Sequence, residues 1–295
     1  MPLYLSGPAF QSGTALVAQL PDSAITGGNA RGANAVDWQT LRLAATQVAS
    51  GISSTVAGGE ANSATGLRSF VGGGDSNVAS NTRSTAVGGT ANTAGGINAF
   101  IGGGANNVAT GTNATVAGGS TNTASGISSW SPGGVQAFTR GLTGAGAWSS
   151  GRIAANGDTQ VMAFHLSAQT TDATATRLTA SAGAASATNT INLGNFSVYT
   201  GRLQVTGKAT GTSDVAVWHV DVSAVRGNGV ATTALFQGAS VALVPTTSNG
   251  TGSAWRLDIA ADTTNGGIAV TVTGAAATTI NWSANYIGPQ VTTAS

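Results

Sequence analysis

The feature that most constrains this chain is a 15-residue period that runs without insertion through five units: 55–69, 70–84, 85–99, 100–114 and 115–129. The fourth position is Gly58, Gly73, Gly88, Gly103 and Gly118, and the fifth is Gly59, Gly74, Gly89, Gly104 and Gly119. Asn62, Asn77, Asn92, Asn107 and Asn122 hold the eighth, and Ala64, Ala79, Ala94, Ala109 and Ala124 the tenth. A half unit, "QVASGISS" (47–54), leads in, and "WSPGG" (130–134) reopens the pattern before Pro132 breaks it. A fixed period of this kind marks a repeat architecture whose units are stable only when stacked.

Each unit reads as one coil of a parallel β-solenoid. A short β-branched or aromatic stretch, such as Thr55-Val56 or Phe100-Ile101, meets the Gly-Gly corner. Glycine there allows positive φ or a close backbone approach. A second short stretch, Asn-x-Ala, leads to another corner near Gly66, Gly96, Gly111 or Gly126. Coils stack about 4.8 Å apart, so five of them rise roughly 24 Å. The asparagines are expected to ladder from coil to coil, and the tenth-position alanines to sit where nothing larger fits. The first position alternates large and small (Thr55, Phe70, Thr85, Phe100, Thr115, Trp130), and the ninth alternates in step (Ser63, Val78, Thr93, Val108, Thr123). Either the layers interdigitate or the large groups meet a neighbouring chain. A coil this thin buries little alone, so the sequence asks for self-association.

Composition supports the same class. Only 7% of residues are charged, against about 25% in an average globular protein. Glycine reaches 44 residues, and Gly, Thr and Asn are poor helix formers. The formal net charge of +1 offers no field that would attract nucleic acid. The absence of cysteine excludes disulfides and thiolate metal sites. The opening "MPLYLSGPAF" lacks the basic, then apolar, order of a secretory signal. No stretch approaches the roughly 18 apolar residues of a membrane span. A soluble protein made in a cytosol, with no membrane insertion, is expected.

Three regions are expected: 1–46, a partly extended N-terminal docking region; 47–134, the β-roll; and 135–295, a β-rich domain with a sub-boundary allowed near 180–190. In the last, "VMAFHL" (161–166), "RLQVTG" (202–207), "VAVWHVDV" (215–222), "WRLDIA" (255–260), "GIAVTVTG" (267–274) and "TINWSANY" (279–286) alternate in polarity between turn signals. This pattern indicates an antiparallel sandwich or jelly roll.

The unit "VGGG-x-x-N-x-A-x-G-x-x-S", carried by Val71 to Ser84 with Asn81 in place of its last glycine, resembles the head repeat of trimeric autotransporter adhesins. That resemblance covers about residues 47–134. It implies a left-handed β-roll in an intertwined homotrimer. Similar repeats occur in phage tail-fibre and head-fibre proteins, where a lead-in like "GGNARGANAVDWQT" (27–40) precedes them. The segment 253–286 also resembles C-terminal domains of phage fibre or minor structural proteins. An adhesin on a cell surface would need a secretion signal, a heptad stalk and a membrane barrel, and none is read in this sequence. The resemblance therefore implies a virion protein made in a host cytoplasm, joined to other virion proteins through its N-terminal region and binding a host cell-surface glycan.

Catalytic and metal-binding readings are weak. Of ten acids, only Glu60 and Asp75 lie in the repeats, at a position where other units carry Thr90, Ala105 and Ser120, as solvated turn residues would. Asp258 and Asp262 are expected to cap a turn or stay solvated. His165 and His219 have no Cys or carboxylate cluster to make a zinc site. No "GxSxG" elbow and no phosphate loop occur, so no catalytic residue, metal or cofactor is assigned. Trp218 and Trp282 read as core, and Trp130 as the cap of the roll. Trp148, among the turn residues of "GAGAWSSGR", and Arg152 beside it are the receptor-contact candidates. The functional expectation is a trimeric tail fibre or spike attaching to a host by multivalent binding. The alternatives are a head fibre or capsid decoration protein, and a surface-polysaccharide depolymerase.

Overall fold

The computed structural model describes residues 21–39, 41–236 and 241–293. It comprises two compact units, Met1–Asn107 and Val108–Ser295. Much of the expected docking region, residues 1–20 and Thr40, lies outside the described residues.

The first unit is a parallel β-solenoid with the predicted period. Val36–Asp37, Thr55–Val56, Phe70–Val71, Thr85–Ala86 and Phe100–Ile101 form one parallel ladder. Ser63–Ala64, Val78–Ala79 and Thr93–Ala94 form a second. Single-residue bridges from Leu41 through Glu60, Asp75 and Thr90 to Ala105 make a third. Each coil donates to the next: the Thr55 N–H bonds Ser69 O at 2.9 Å, Phe70 bonds Ser84 O at 2.9 Å and Thr85 bonds Ala99 O at 2.8 Å. The thin interior is filled by the second position (Val56, Val71, Ala86, Ile101), the tenth (Ala64, Ala79, Ala94) and the fifteenth (Ser69, Ser84, Ala99). The tenth position is therefore interior, as its invariant alanine requires.

First-position side chains point outward, so the large and small layers do not interdigitate inside the coil. Phe70 and Phe100 are 37% and 39% exposed. The Phe70 ring lies over Gly72, where a Cβ would sit 3.2 Å from the ring. Of the two corner glycines, the second carries the tighter constraint. Gly74 has φ +81°, and a Cβ there would lie 2.1 Å from Gly89 O. The other corner differs from expectation. Gly66 is required by close approach, since its Cβ would meet Asn81 O at 2.0 Å. The left-handed turn residue comes two places later, at Arg68, Arg83 and Asn98, with φ of 55–56°.

The parallel ladder begins in the lead-in, before the half unit at 47. Asp37 occupies the inward second position of its coil and is buried there against Arg31 Nε (3.0 Å) and Arg42 Nη2 (3.2 Å). Gln39 takes the asparagine's place: its Oε1 accepts the Asn62 N–H at 2.7 Å, and its Nε2 donates to Asn62 O at 2.8 Å.

The second unit begins with further coils. Thr115–Val116 pairs with Trp130–Ser131, and Val108–Ala109 with Thr123–Ala124, all parallel. Gly146–Ser150 changes the pattern. It lies parallel to Trp130 and to Gly134–Val135 on one side, and antiparallel to Thr159–Thr170 on the other. The large antiparallel sheet continues through Ile280–Thr292, Ser197–Ala209 and Val215–Arg226. A second antiparallel sheet joins Thr176–Arg177, Gly267–Thr273, Arg256–Asp262 and Val241–Leu243, with Ile191–Asn192 also on Gly267–Thr273. One core unites the two sheets, as the alternating segments predicted. Trp218 and Trp282 are buried in it, with ring centroids 5.9 Å apart, and Trp255 meets Trp282 edge-on at 5.5 Å.

Candidate binding surface

The repeat residues build a scaffold. Asn77 shows how. Its Oδ1 accepts the Asn92 N–H at 3.0 Å, while its Nδ2 donates to Gly73 O of its own coil and Gly89 O of the next, both at 2.9 Å. Asn62 and Asn92 repeat the pattern. The expected ladder therefore runs chiefly from side chain to backbone. Asn92 Nδ2 to Asn77 Oδ1, at 3.1 Å, is a side chain-to-side chain step within it. In the second unit Asn122 Oδ1 accepts the Ala137 N–H at 2.9 Å, and its Nδ2 reaches Gly118 O and Gly134 O.

Trp148 and Arg152 part company. Trp148 is half-buried on the strand Gly146–Ser150, not among turn residues, and stacks on Trp130 with centroids 6.2 Å apart. Trp130 does not cap the coil interior. It sits at the outward first position, over Gly146, while Ser131 takes the inward place. Arg152 is exposed and donates to Asn156 Oδ1 at 3.3 Å.

An array of exposed polar side chains, which the sequence did not announce, lies on the outer face of the large sheet. Its strands bury alternate residues and expose the rest: Ile280–Thr292 alternates over nearly its whole length. Cross-strand register then sets exposed polar side chains in rows. His165, Asn285, Gln204 and His219 form one row across four strands. Within it His165 Nδ1 and Asn285 Oδ1 are 2.9 Å apart, and Gln204 Nε2 and His219 Nδ1 are 3.4 Å apart. A second row holds Gln169, Asn281 and Lys208, with Gln169 Nε2 donating to Asn281 Oδ1 at 2.8 Å. On the other side Arg202 and Asp221 pair at 3.2 Å, both exposed. Next to them Gly201 and Gly288 lack side chains, and an open depression of about 520 Å³ forms between Arg202, Asp221 and Pro289. Neither glycine tolerates a Cβ: one on Gly201 would lie 2.5 Å from Ile287 O, and one on Gly288 1.9 Å from Thr200 O.

A smaller recess of about 290 Å³ lies by Arg140, Asp158 and Asn195. Its acid is already committed. Burial alone would raise the Asp158 pKa, but the N–H groups of Ala154, Ala155 and Ile153 hold it below the usual carboxylate range. Asp262 caps the turn at Thr264 and Asn265 and pairs with Arg177, so it too is structural. Among the described residues no three His, Asp or Glu side chains gather as a metal site. The outer face thus carries amides, imidazoles, Lys208 and the Arg202–Asp221 pair, with Ile287 and Val291 exposed among them; its amides and imidazoles can both donate and accept hydrogen bonds. Compared with known protein families, curated proteins and solved structures, the chain matches none.

Proposed function

We propose that this chain is a structural protein of a bacteriophage virion: a homotrimeric tail fibre or spike that attaches to host-surface glycan by multivalent binding. The observation that carries the reading is the polar outer face of the large sheet, in a chain whose repeat resembles those of phage fibres. Sugar hydroxyls both donate and accept. The amides of Gln204, Asn285, Gln169 and Asn281 do the same, from strands that lose little freedom on binding. A single such contact is weak. Copies held on one assembly gain avidity through effective concentration, by roughly 10²–10⁴. With few charges on this face, binding depends little on salt. The protein is made in the host cytoplasm, joins other virion proteins through its N-terminal region, and works by binding without bond cleavage.

Purified protein titrated against host lipopolysaccharide and capsule tests this. Binding that survives raised salt and falls at least about tenfold in Gln204→Ala with Asn285→Ala is expected, since two good polar contacts are lost. Unchanged melting of that variant is part of the expected result. Sugar release from the polysaccharide would replace the binding reading with the depolymerase one. Immunogold over capsids alone would move the protein to the head.

A further inference from the structure

The recess beside Arg140 carries a charge that no described acid answers. Arg140 is partly buried, and one end of its guanidinium is fixed: Nη2 donates to Asn192 O at 2.8 Å and to the Tyr199 hydroxyl. Tyr199 donates in turn to Gln290 Oε1 at 2.7 Å, which also accepts Gln160 Nε2 at 3.0 Å. The rest of the group is uncommitted. Its Nε is buried with no hydrogen-bond partner. Its Nη1 donates no hydrogen bond among the described residues. Nη1 lies against Gly194 on the recess wall, where a Cβ would come within 2.8 Å of it.

A second cation stands close by. Arg226 Nη1 donates to Leu193 O at 2.5 Å, one residue on from the carbonyl that Arg140 uses, and the Arg226 Nε is also buried without a partner. Burial, and then the nearby Arg140, hold the Arg226 guanidinium below its ordinary value. The ion pairs among the described residues include neither arginine. Asp158, the acid on the recess wall, has its oxygens taken up by the N–H groups of Ile153, Ala154 and Ala155. Neighbouring cations withdrawn from water without a counter-charge favour an anion.

The remaining walls suit more than a bare ion. Phe138 borders the recess, with its backbone clamped by Gln160 at 2.8 and 2.9 Å. Asn156 has its Oδ1 held by Arg152 at 3.3 Å, and its Nδ2 donates no hydrogen bond among the described residues. The space is about 290 Å³, near the lower bound of about 300 Å³ for small-ligand sites. That is room for one ring.

We propose that this recess binds a carboxylate-bearing sugar residue of the host glycan, a hexuronate or a sialic acid, with Arg140 Nη1 donating to the carboxylate, Phe138 bordering the ring and Asn156 Nδ2 meeting a hydroxyl. This rests on the glycan-attachment reading above and names the class of sugar. Arginine matches a carboxylate in both charge and donor geometry. A partly buried pair is screened less by salt than an exposed one, so the contact agrees with salt-tolerant attachment.

Saturation-transfer difference NMR on the full-length chain tests it, with D-glucuronate and N-acetylneuraminate as probes and D-glucose as the neutral control. Ala155 is exposed on the recess wall, so Ala155→Glu and Ala155→Gln place side chains of one size and different charge at its mouth. Circular dichroism checks that both fold. At least one acidic sugar should bind wild type, with D-glucose at least about tenfold weaker. Ala155→Glu should bind that sugar at least about tenfold more weakly than Ala155→Gln, because a like charge at the mouth opposes the carboxylate. Equal binding by the two variants, or no binding of either acidic sugar to wild type, would overturn the site. Inorganic phosphate that displaces the sugar at equal concentration would make it a general anion site and overturn the sugar assignment. The attachment reading is scored separately: host polysaccharide that still binds, and still responds to Gln204→Ala with Asn285→Ala, would leave it standing if the recess fails.

Discussion

Asn92 shows how much one residue carries in this fold. Its Oδ1 accepts the buried Asn107 N–H, and its Nδ2 donates to Gly88 O and Gly104 O. Three backbone groups thus depend on one side chain. Each left unpaired in the interior costs about 1–3 kcal/mol, so Asn92→Ala should lose on the order of 3 kcal/mol. Thermal unfolding followed by far-ultraviolet circular dichroism measures this, and an unchanged midpoint would deny the ladder its role. The asparagines, the corner glycines and the tenth-position alanines were legible in the sequence because each recurs at one spacing for one local reason. The left-handed residues were not. Ala61, Ser76, Ala91 and Asn106 share the seventh position at φ 54–58°, yet differ in type. The neighbouring coils impose that conformation, so no residue preference announces it. Asp37 was equally hidden. Its burial makes sense only beside Arg31 and Arg42, which follow no repeat.

The strands of the second unit were legible singly but not as a sheet. Alternation located Ile280–Thr292, yet nothing local says that it lies between Thr159–Thr170 and Ser197–Ala209. The row of His165, Asn285, Gln204 and His219 exists only through that order. Trp148 was misplaced for a related reason. Gly, Ala and Ser around it read as turn, whereas strand partners on both sides hold it extended. A network behind these strands gives the element a pH signature. Tyr199 donates to Gln290 Oε1 at 2.7 Å and lies beside Arg140. Burial pushes its phenol from 10.0 up to about 12, against the opposing pull of Arg140. The folded state therefore holds this proton more tightly than the unfolded chain. Its contribution is complete below pH 10 and is lost as pH rises from about 10 through about 12. Burial and the nearby Tyr199 shift Tyr286 in the same direction. Urea midpoints should therefore fall with pH across this window, less steeply in Tyr199→Phe. An equal slope in that variant would assign the effect elsewhere.

At the scale of the whole molecule, the order of pairing decides what the last strand does. Ile280–Thr292 is the last strand among the described residues, yet it occupies the middle of the large antiparallel sheet and bonds both long neighbours along most of their length. It also supplies Ile280, Trp282, Ala284 and Tyr286 to the core. The strands before it cannot close their ladder or cover that core alone. Pairings of such long sequence separation form late, after the entropy of loop closure has been met. A chain ending at Thr279 should therefore lack the near-ultraviolet circular dichroism of its packed tryptophans, because Trp218 and Trp255 lose Trp282 between them. The polar rows vanish with it, since Asn281 and Asn285 belong to that strand. Adding a synthetic peptide of residues 280–293 should restore the near-ultraviolet signal, by supplying the missing strand to both exposed edges. A shortened chain that keeps the signal unaided would show that the sheet closes without its central strand, and would remove the outer face as a preformed surface.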